Sequence, residues 1–387
     1  MYDLNVVIIG AGIGGLSTGI ALRQAGYRVK VFERTRELRP AGAGISLWSN
    51  GVKVLNQLGL GERLAALGGQ MDWMEYRTHT GELLNSIDLQ PLIQQVGQRP
   101  YPVSRTDLQQ MLRDAFGPED LELGVQCVGV EEREGEAIAH LNDGRAVAAD
   151  LIIGADGVHS TVREYVVGKP VEPRYADYVN WNGLVPFSED LPSGNSWVIY
   201  VGDNKRASMM PVGGDRFYFF FGAPMAQGTT VAPADRREEL ANLFQGWAEP
   251  VQNLIKHLNP LETNRLEIGD LDPLDRLVRG RIALLGDAGH ATTPTLGQGA
   301  CQALEDAVIL TRYLVTTTIS VPDALQRYEN ARKERTANLV LKARKRTGII
   351  YGKDPAATES WYQQLAQEVP SDVTGAIADI ILTGPLG

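Results

Sequence analysis

LNVVIIGAGIGGLSTGIALRQAGYRVKVFE, residues 4–33, is the stretch whose reading decides the fold. Residues 4–9 are a continuous apolar, β-branched run, the pattern of a strand buried on both faces. Gly10 to Gly15 follow, Leu16 to Ala25 read as a helix with small residues on one side, and Tyr27–Phe32 resumes as a strand. The glycines match G-x-G-x-x-G at Gly10, Gly12 and Gly15. Gly10 permits the tight turn, Gly12 lets the backbone approach a pyrophosphate, and Gly15 brings helix and strand together. The helix N-terminus then offers N–H groups and partial positive charge to phosphates. Glu33 lies 18 residues beyond Gly15 at a strand end, where a carboxylate accepts hydrogen bonds from ribose hydroxyls. Strand, glycines, helix, strand and terminal acid together read as a dinucleotide-binding βαβ unit.

Two further runs have the same texture. DLIIGADGVHSTVR (150–163) places Asp156-Gly157 after a strand, then Ser160 and Arg163 one helical turn apart. GRIALLGDAGHATTPTLGQGACQALEDA (280–307) places Gly286-Asp287 after a strand, then a Pro/Gly loop, then a helix starting near Ala300. Three like strands separated by long intervals predict one α/β sheet assembled from distant pieces. Between them, residues 178–224 cluster β-formers around Gly, Pro and Asp turns, as in an antiparallel sheet, and 72–90 is a weaker candidate to join it. A long helical pattern runs from Pro322 to about Thr347, and Pro355, Pro370 and Pro385 break up the tail.

Composition limits the function classes. The chain has 387 residues, 43% hydrophobic and 22% charged, with a net charge of −10, which argues for a globular protein and against general nucleic-acid or anionic-membrane binding. Cys127 and Cys301 make neither a disulfide framework nor a metal motif, and five scattered histidines lack zinc spacing, so no metal is expected. No signal peptide and no transmembrane run is read, which leads to a cytoplasmic expectation. The basic stretch Arg327 to Arg346 reads as a solvated helix face. His290 reads as structural, and Cys301 as a small packed residue.

The ordered trio of strand-end motifs resembles the class A flavoprotein monooxygenases, the FAD-dependent aromatic hydroxylase family, over nearly the whole chain. The resemblance implies a Rossmann-like FAD-binding domain of three ββα layers with an inserted antiparallel β-sheet substrate domain and C-terminal helices. Its expected segments are FAD-binding 1–72, 99–172 and 268–320, substrate strands 73–98, substrate sheet 173–267, and a helical region 321–387. By that resemblance Asp287 binds the ribityl chain and Arg105, in VSRTDLQQML, reaches the FAD. Gly10, Gly12, Gly14, Gly15, Glu33, Arg34, Ser46, Cys127, Asp156, Gly297, Gln298, Gly299, Ala300 and Cys301 complete the expected cofactor contacts. The resemblance implies that NAD(P)H, with NADH the expected donor, reduces the flavin and leaves, that O₂ is the co-substrate, and that a C4a-hydroperoxide transfers oxygen to an electron-rich ring.

Within the family, YVNWNGLV (178–185), NKRASMMPV (204–212), RFYFFF (216–221), LVLKARKR (339–346), GKD (352–354) and ILTGPLG (381–387) look like the branch that hydroxylates urate to 5-hydroxyisourate. That likeness implies Arg206 over the substrate, stabilising its charge, and Tyr218 beside it as the two catalytic groups, with Asn180 and Phe220 also in the pocket. Thr295 departs from it, because an acid is expected after TTP in the loop. A salicylate or hydroxybenzoate hydroxylase and an O₂-independent flavin dehydrogenase are the competing readings. The expected partner is a small aromatic anion, with no nucleic acid or membrane.

Overall fold

A computed structural model describes residues 4–37, 43–316 and 319–386. The three strand-end motifs meet as expected. Asn5–Ile9 is central in a six-stranded sheet, flanked by Arg28–Glu33 and Leu151–Gly154, with Ile282–Leu284 beyond the latter. All these pairs are parallel, with Val6 opposite Leu151 and Ile152 opposite Ile282. Alternation along Asn5–Ile9 sorts the layers. Val6 and Ile8 face helices Ile13–Gln24, Arg105–Phe116 and Gly299–Leu314, whereas Val7 and Ile9 pack on a three-stranded sheet built from Cys127–Arg133, Glu136–Leu141 and Ala146–Ala149.

The second sheet has seven strands. Their order is Asn264–Asp270, Arg174–Pro186, Arg216–Pro224, Lys205–Val212, Ser196–Gly202, Trp73–Thr78 and Leu83–Asp88. Residues 72–90 do join it. The sheet is mixed, however, because Trp73–Thr78 runs parallel to Ser196–Gly202. Those two strands are not joined by a hairpin, so nothing forces them antiparallel. The expected segment boundary at 267 also falls inside the edge strand Asn264–Asp270.

The hairpin between Ser196–Gly202 and Lys205–Val212 turns on Asp203 and Asn204, both at positive φ (48° and 58°). A two-residue turn of that hand matches strand twist and fixes register, here placing Arg206 opposite Val201. One face of the sheet packs Val179, Trp181, Phe217, Phe219 and Phe221 against helices Arg236–Leu243 and Glu249–His257.

The C-terminal part is helical: Val321–Ile350, Pro355–Leu365 and Pro370–Leu382. Pro355 and Pro370 begin helices rather than merely interrupting them, since a first-turn N–H has no intrahelical acceptor to lose. Among the described residues no helix is long and apolar enough to cross a membrane. Nor does any group of three or more His, Cys, Asp or Glu converge on a metal position there.

Candidate active site

At the first motif, Gly10 has φ 107° and its Cα faces the Ala155 carbonyl: a Cβ there would lie 2.3 Å from that oxygen. A Cβ on Gly12 would meet nothing within 4 Å, and no side chain caps the helix it opens. The space and the donors a diphosphate requires are thus both present. Gly14 and Gly15 pack against protein instead: added Cβ atoms would fall 2.8 Å from Leu285 and 2.0 Å from the Gly10 carbonyl oxygen. Glu33 accepts from the Ala11 N–H at 2.8 Å and from the Thr35 N–H at 2.9 Å, bracing the glycine turn with lone pairs left over for a ribose. Arg34 is exposed beside it. Cys127 is buried near Asp156, and burial pushes its thiol up to about 11.

Asp156 accepts from Ser160 Oγ at 2.5 Å and the Thr161 N–H at 2.7 Å, anchoring the start of helix Thr161–Val167. Burial raises its pKa, against these hydrogen bonds. Arg163 donates to the Ala288 carbonyl at 3.2 Å, tying the second motif to the third.

Asp287 is exposed among buried Ala288, Gly289 and His290, and its carboxylate has no hydrogen-bond partner among the described residues. The turn behind it is held firmly. The Gly286 N–H donates to Asp306 Oδ2 at 2.8 Å, and His290 Nε2 lies 2.7 Å from the same oxygen. Downstream, Gly297 abuts Ser46 and Trp48. Gln298 is buried, its Oε1 accepting from Asn50 and Gln302 at 3.0 Å each. Gly299 and Ala300 open helix Gly299–Leu314 without a side-chain cap, while Cys301 turns inward, its thiol pushed up to about 12 by burial. Arg105 begins helix Arg105–Phe116, and its own N–H donates to the Ala43 carbonyl at 3.0 Å. Thr295 bonds the Ala343 carbonyl at 3.0 Å and joins the Thr293 and Thr347 hydroxyls.

The basic stretch corrects the sequence reading. Arg332 is 0% exposed, with Nε on Asp306 at 2.7 Å, Nη1 on Glu305 at 2.6 Å and Nη2 on Gln302 Oε1 at 2.7 Å. Arg335 adds a second bond to Glu305 at 3.0 Å, and Arg344 pairs with Asp270 and Asp272. Burial alone would raise the Asp306 carboxyl; His290 and Arg332 hold it well below the usual carboxylate range. This network, absent from the sequence reading, fixes both the Asp287 turn and helix Gly299–Leu314. The one local hint was the acid pair Glu305-Asp306, embedded in a stretch otherwise too apolar to be solvated.

The inner face of the seven-stranded sheet gathers the expected substrate residues. Cross-strand register puts Asn180, Gly222 and Arg206 in one row, Asn182, Phe220 and Ser208 in the next, and Leu184, Tyr218 and Met210 in a third. Period-two alternation thereby splits RFYFFF: Phe217, Phe219 and Phe221 enter the outer core, whereas Tyr218 and Phe220 face inward. Strand Gly44–Leu47 wedges between this face and the Gly297 loop, since Gly44 lies on the Tyr218 ring and Ser46 on Gly297. The Ala43 N–H donates to Asn182 Oδ1 at 3.0 Å, and Asn182 in turn donates to Asn180 Oδ1 at 2.8 Å. Arg206 is 6% exposed, lies 5.3 Å from the Phe220 ring centre, and its Nε has no hydrogen-bond partner among the described residues. Burial raises the Tyr218 phenol, with Arg105 opposing, so it remains a neutral donor.

A glycine cradle, an exposed carboxylate unpartnered among the described residues and two uncapped helix ends fit a flavin-dependent oxidoreductase of the class A monooxygenase fold. Residues 3–343 match the family described as FAD binding domain, and the chain belongs to that family. It is 50% identical over 386 residues to the FAD-dependent urate hydroxylase of Mycolicibacterium vanbaalenii, covering 99% of this chain and 98% of that protein. It is 46% identical over 385 residues to the FAD-dependent urate hydroxylase of Klebsiella pneumoniae, covering 99% and 100%. The crystal structure of Klebsiella pneumoniae HpxO complexed with FAD and uric acid matches with a TM-score of 0.97 at 45% identity, covering 100% of this chain and 99% of that one.

Proposed function

We propose that this chain hydroxylates urate to 5-hydroxyisourate, using FAD, with NADH as electron donor and O₂ as oxygen source. The observation that carries the reading is the Arg206 guanidinium: buried, without a carboxylate partner among the described residues, and set in a row with Asn180 on the sheet face that meets the cofactor loops. A buried cation without a counter-ion is costly, and an anionic substrate removes that cost. A guanidinium offers planar paired donors to a flat anion, each charge-assisted bond contributing about 1.5–3 kcal/mol. The likeness to urate hydroxylases supports the purine over other aromatic acids.

Bound FAD supplies the redox chemistry, accepting two electrons from NADH and passing them to O₂, so that one oxygen atom enters the purine and the other leaves as water. The residues of the chain hold and orient. Gly10, Gly12 and the first helix would receive the diphosphate, Glu33 a ribose, Asp287 the ribityl hydroxyls, and the Gly297–Ala300 backbone the ring edge. Arg206 stabilises negative charge on the purine as oxygen is added, and Tyr218 keeps its proton at neutral pH and orients the ring by donation. Arg206, Asn180, Tyr218 and Phe220 include no carboxylate or imidazole base, in keeping with a substrate that arrives as an anion.

The test is substrate-dependent NADH consumption with urate, salicylate and 3-hydroxybenzoate, with peroxide measured alongside. Urate should drive stoichiometric, peroxide-free turnover. Coupled turnover with salicylate but not urate defeats the purine reading, and anaerobic turnover at the aerobic rate defeats the monooxygenase reading.

A further inference from the structure

Helix Val321–Ile350 ends in a turn, Tyr351–Gly352, that reaches the inner face of the substrate sheet. The Tyr351 hydroxyl rests on Gly222: a Cβ there would lie 2.2 Å from its oxygen. Gly222 is the cross-strand partner of both Asn180 and Arg206. The phenol is therefore set down between the amide and the guanidinium. Its ring stacks on Tyr178 with centres 3.9 Å apart and planes at 19°. Tyr178 is fully buried, and its own hydroxyl has no partner among the described residues. Tyr351 is 8% exposed, and its hydroxyl makes no hydrogen bond among the described residues.

The turn is anchored from the other side. Gly352 sits on the Asn204 side chain, and the Asn204 N–H donates to Tyr362 Oη at 3.1 Å, so the C-terminal segment grips the hairpin that carries Arg206. Burial pushes the Tyr351 phenol up to about 12, with Arg206 opposing, which keeps it a neutral donor at neutral pH. Unpaired buried hydroxyls around an unpaired cation are expensive unless a ligand completes them.

We propose that Tyr351 is a substrate-binding and specificity-determining residue whose hydroxyl donates to a second acceptor edge of the anion held by Arg206. The inference rests on the urate reading above and deepens it. A purine with carbonyls on two edges pairs both groups, whereas an aromatic acid with acceptors only at its carboxylate leaves the phenol unsatisfied. A site built to hydrogen-bond its substrate discriminates strongly against an analogue that cannot reply.

Tyr351→Phe in the FAD-loaded protein keeps the ring stack and removes only the donor. The Kd for urate, read from flavin absorbance, and the KM should each rise about tenfold while kcat changes less than about twofold. Preference for urate over benzoate, whose acceptors are confined to its carboxylate, should fall by the same factor in Kd. Gly222→Ala, which displaces the hydroxyl with a methyl group, should reproduce the KM rise. Unchanged Kd and KM in both variants, or loss of FAD from Tyr351→Phe, overturns the inference while leaving wild-type urate turnover intact. Wild-type protein that ignores urate overturns the functional reading itself, and the inference with it.

Discussion

Arg206 and Arg332 are buried to nearly the same depth, 6% and 0% exposed, and keep opposite company. Every nitrogen of Arg332 has a partner, two of them on the carboxylates of Asp306 and Glu305. Arg206 has aromatic rings around it, no ion pair among the described residues, and an orphaned Nε. Desolvating a guanidinium costs several kcal/mol in either place. Where the chain itself supplies the counter-ions, the cation is part of the architecture. Where it withholds them, the cation awaits something from outside. The two arginines thus separate what holds the fold from what receives a ligand, although nothing in their local sequence distinguishes them.

The largest effect expected from breaking this contrast is on stability. Arg332→Met removes the cation shared by two buried carboxylates and should cost about 3–5 kcal/mol, measured by urea unfolding of the FAD-loaded protein. Loss below about 1 kcal/mol would mean that the network carries little of the fold. Arg206→Ala should do the reverse. Its unfolding midpoint should match wild type or exceed it, its FAD content should be unchanged, and coupled urate turnover should drop about 100-fold. A variant that unfolds early but turns over normally would erase the distinction.

The smallest effect concerns acid. The Asp306 carboxyl is depressed in the folded state, burial being outweighed by His290 and Arg332. Glu305 is likewise lowered, burial being outweighed by Arg332 and Arg335. A depressed carboxyl contributes stability that is fully present above its unfolded pKa, about 4, and is lost as pH falls below that value. Wild-type stability should therefore decline below about pH 4, and Arg332→Met, with its carboxyls held down less firmly, should decline less. Parallel acid limbs for the two proteins would remove the network from the account.

Contiguity along the chain decides how much of the molecule is legible in its sequence. The glycine turn, its helix and Glu33 occupy one uninterrupted stretch, so spacing alone specifies their geometry. Asp287 and the Gly297–Ala300 loop are legible for the same reason, both falling in the one stretch of chain that follows strand Ile282–Leu284. The run Arg327 to Arg346 misleads because its acids stand at 270, 272, 305 and 306, on other elements, and no helical periodicity announces them. RFYFFF gives away its strand but not its division between two faces, which depends on the register set by the turn through Gly214 and Asp215. Tyr351 is invisible for a similar reason: its neighbours Tyr178 and Gly222 lie far away along the chain.

Helix Val321–Ile350, 30 residues and about 45 Å long, carries Arg332 near its middle and delivers Tyr351 at its end. Recombination between two relatives is constrained by that single rod. A crossover inside it joins one parent's foundation for the Asp287 turn to the other parent's phenol, and the two must agree in length to within a fraction of a helical turn. Chimeras that exchange the rod whole, together with everything beyond it, are the ones this architecture tolerates.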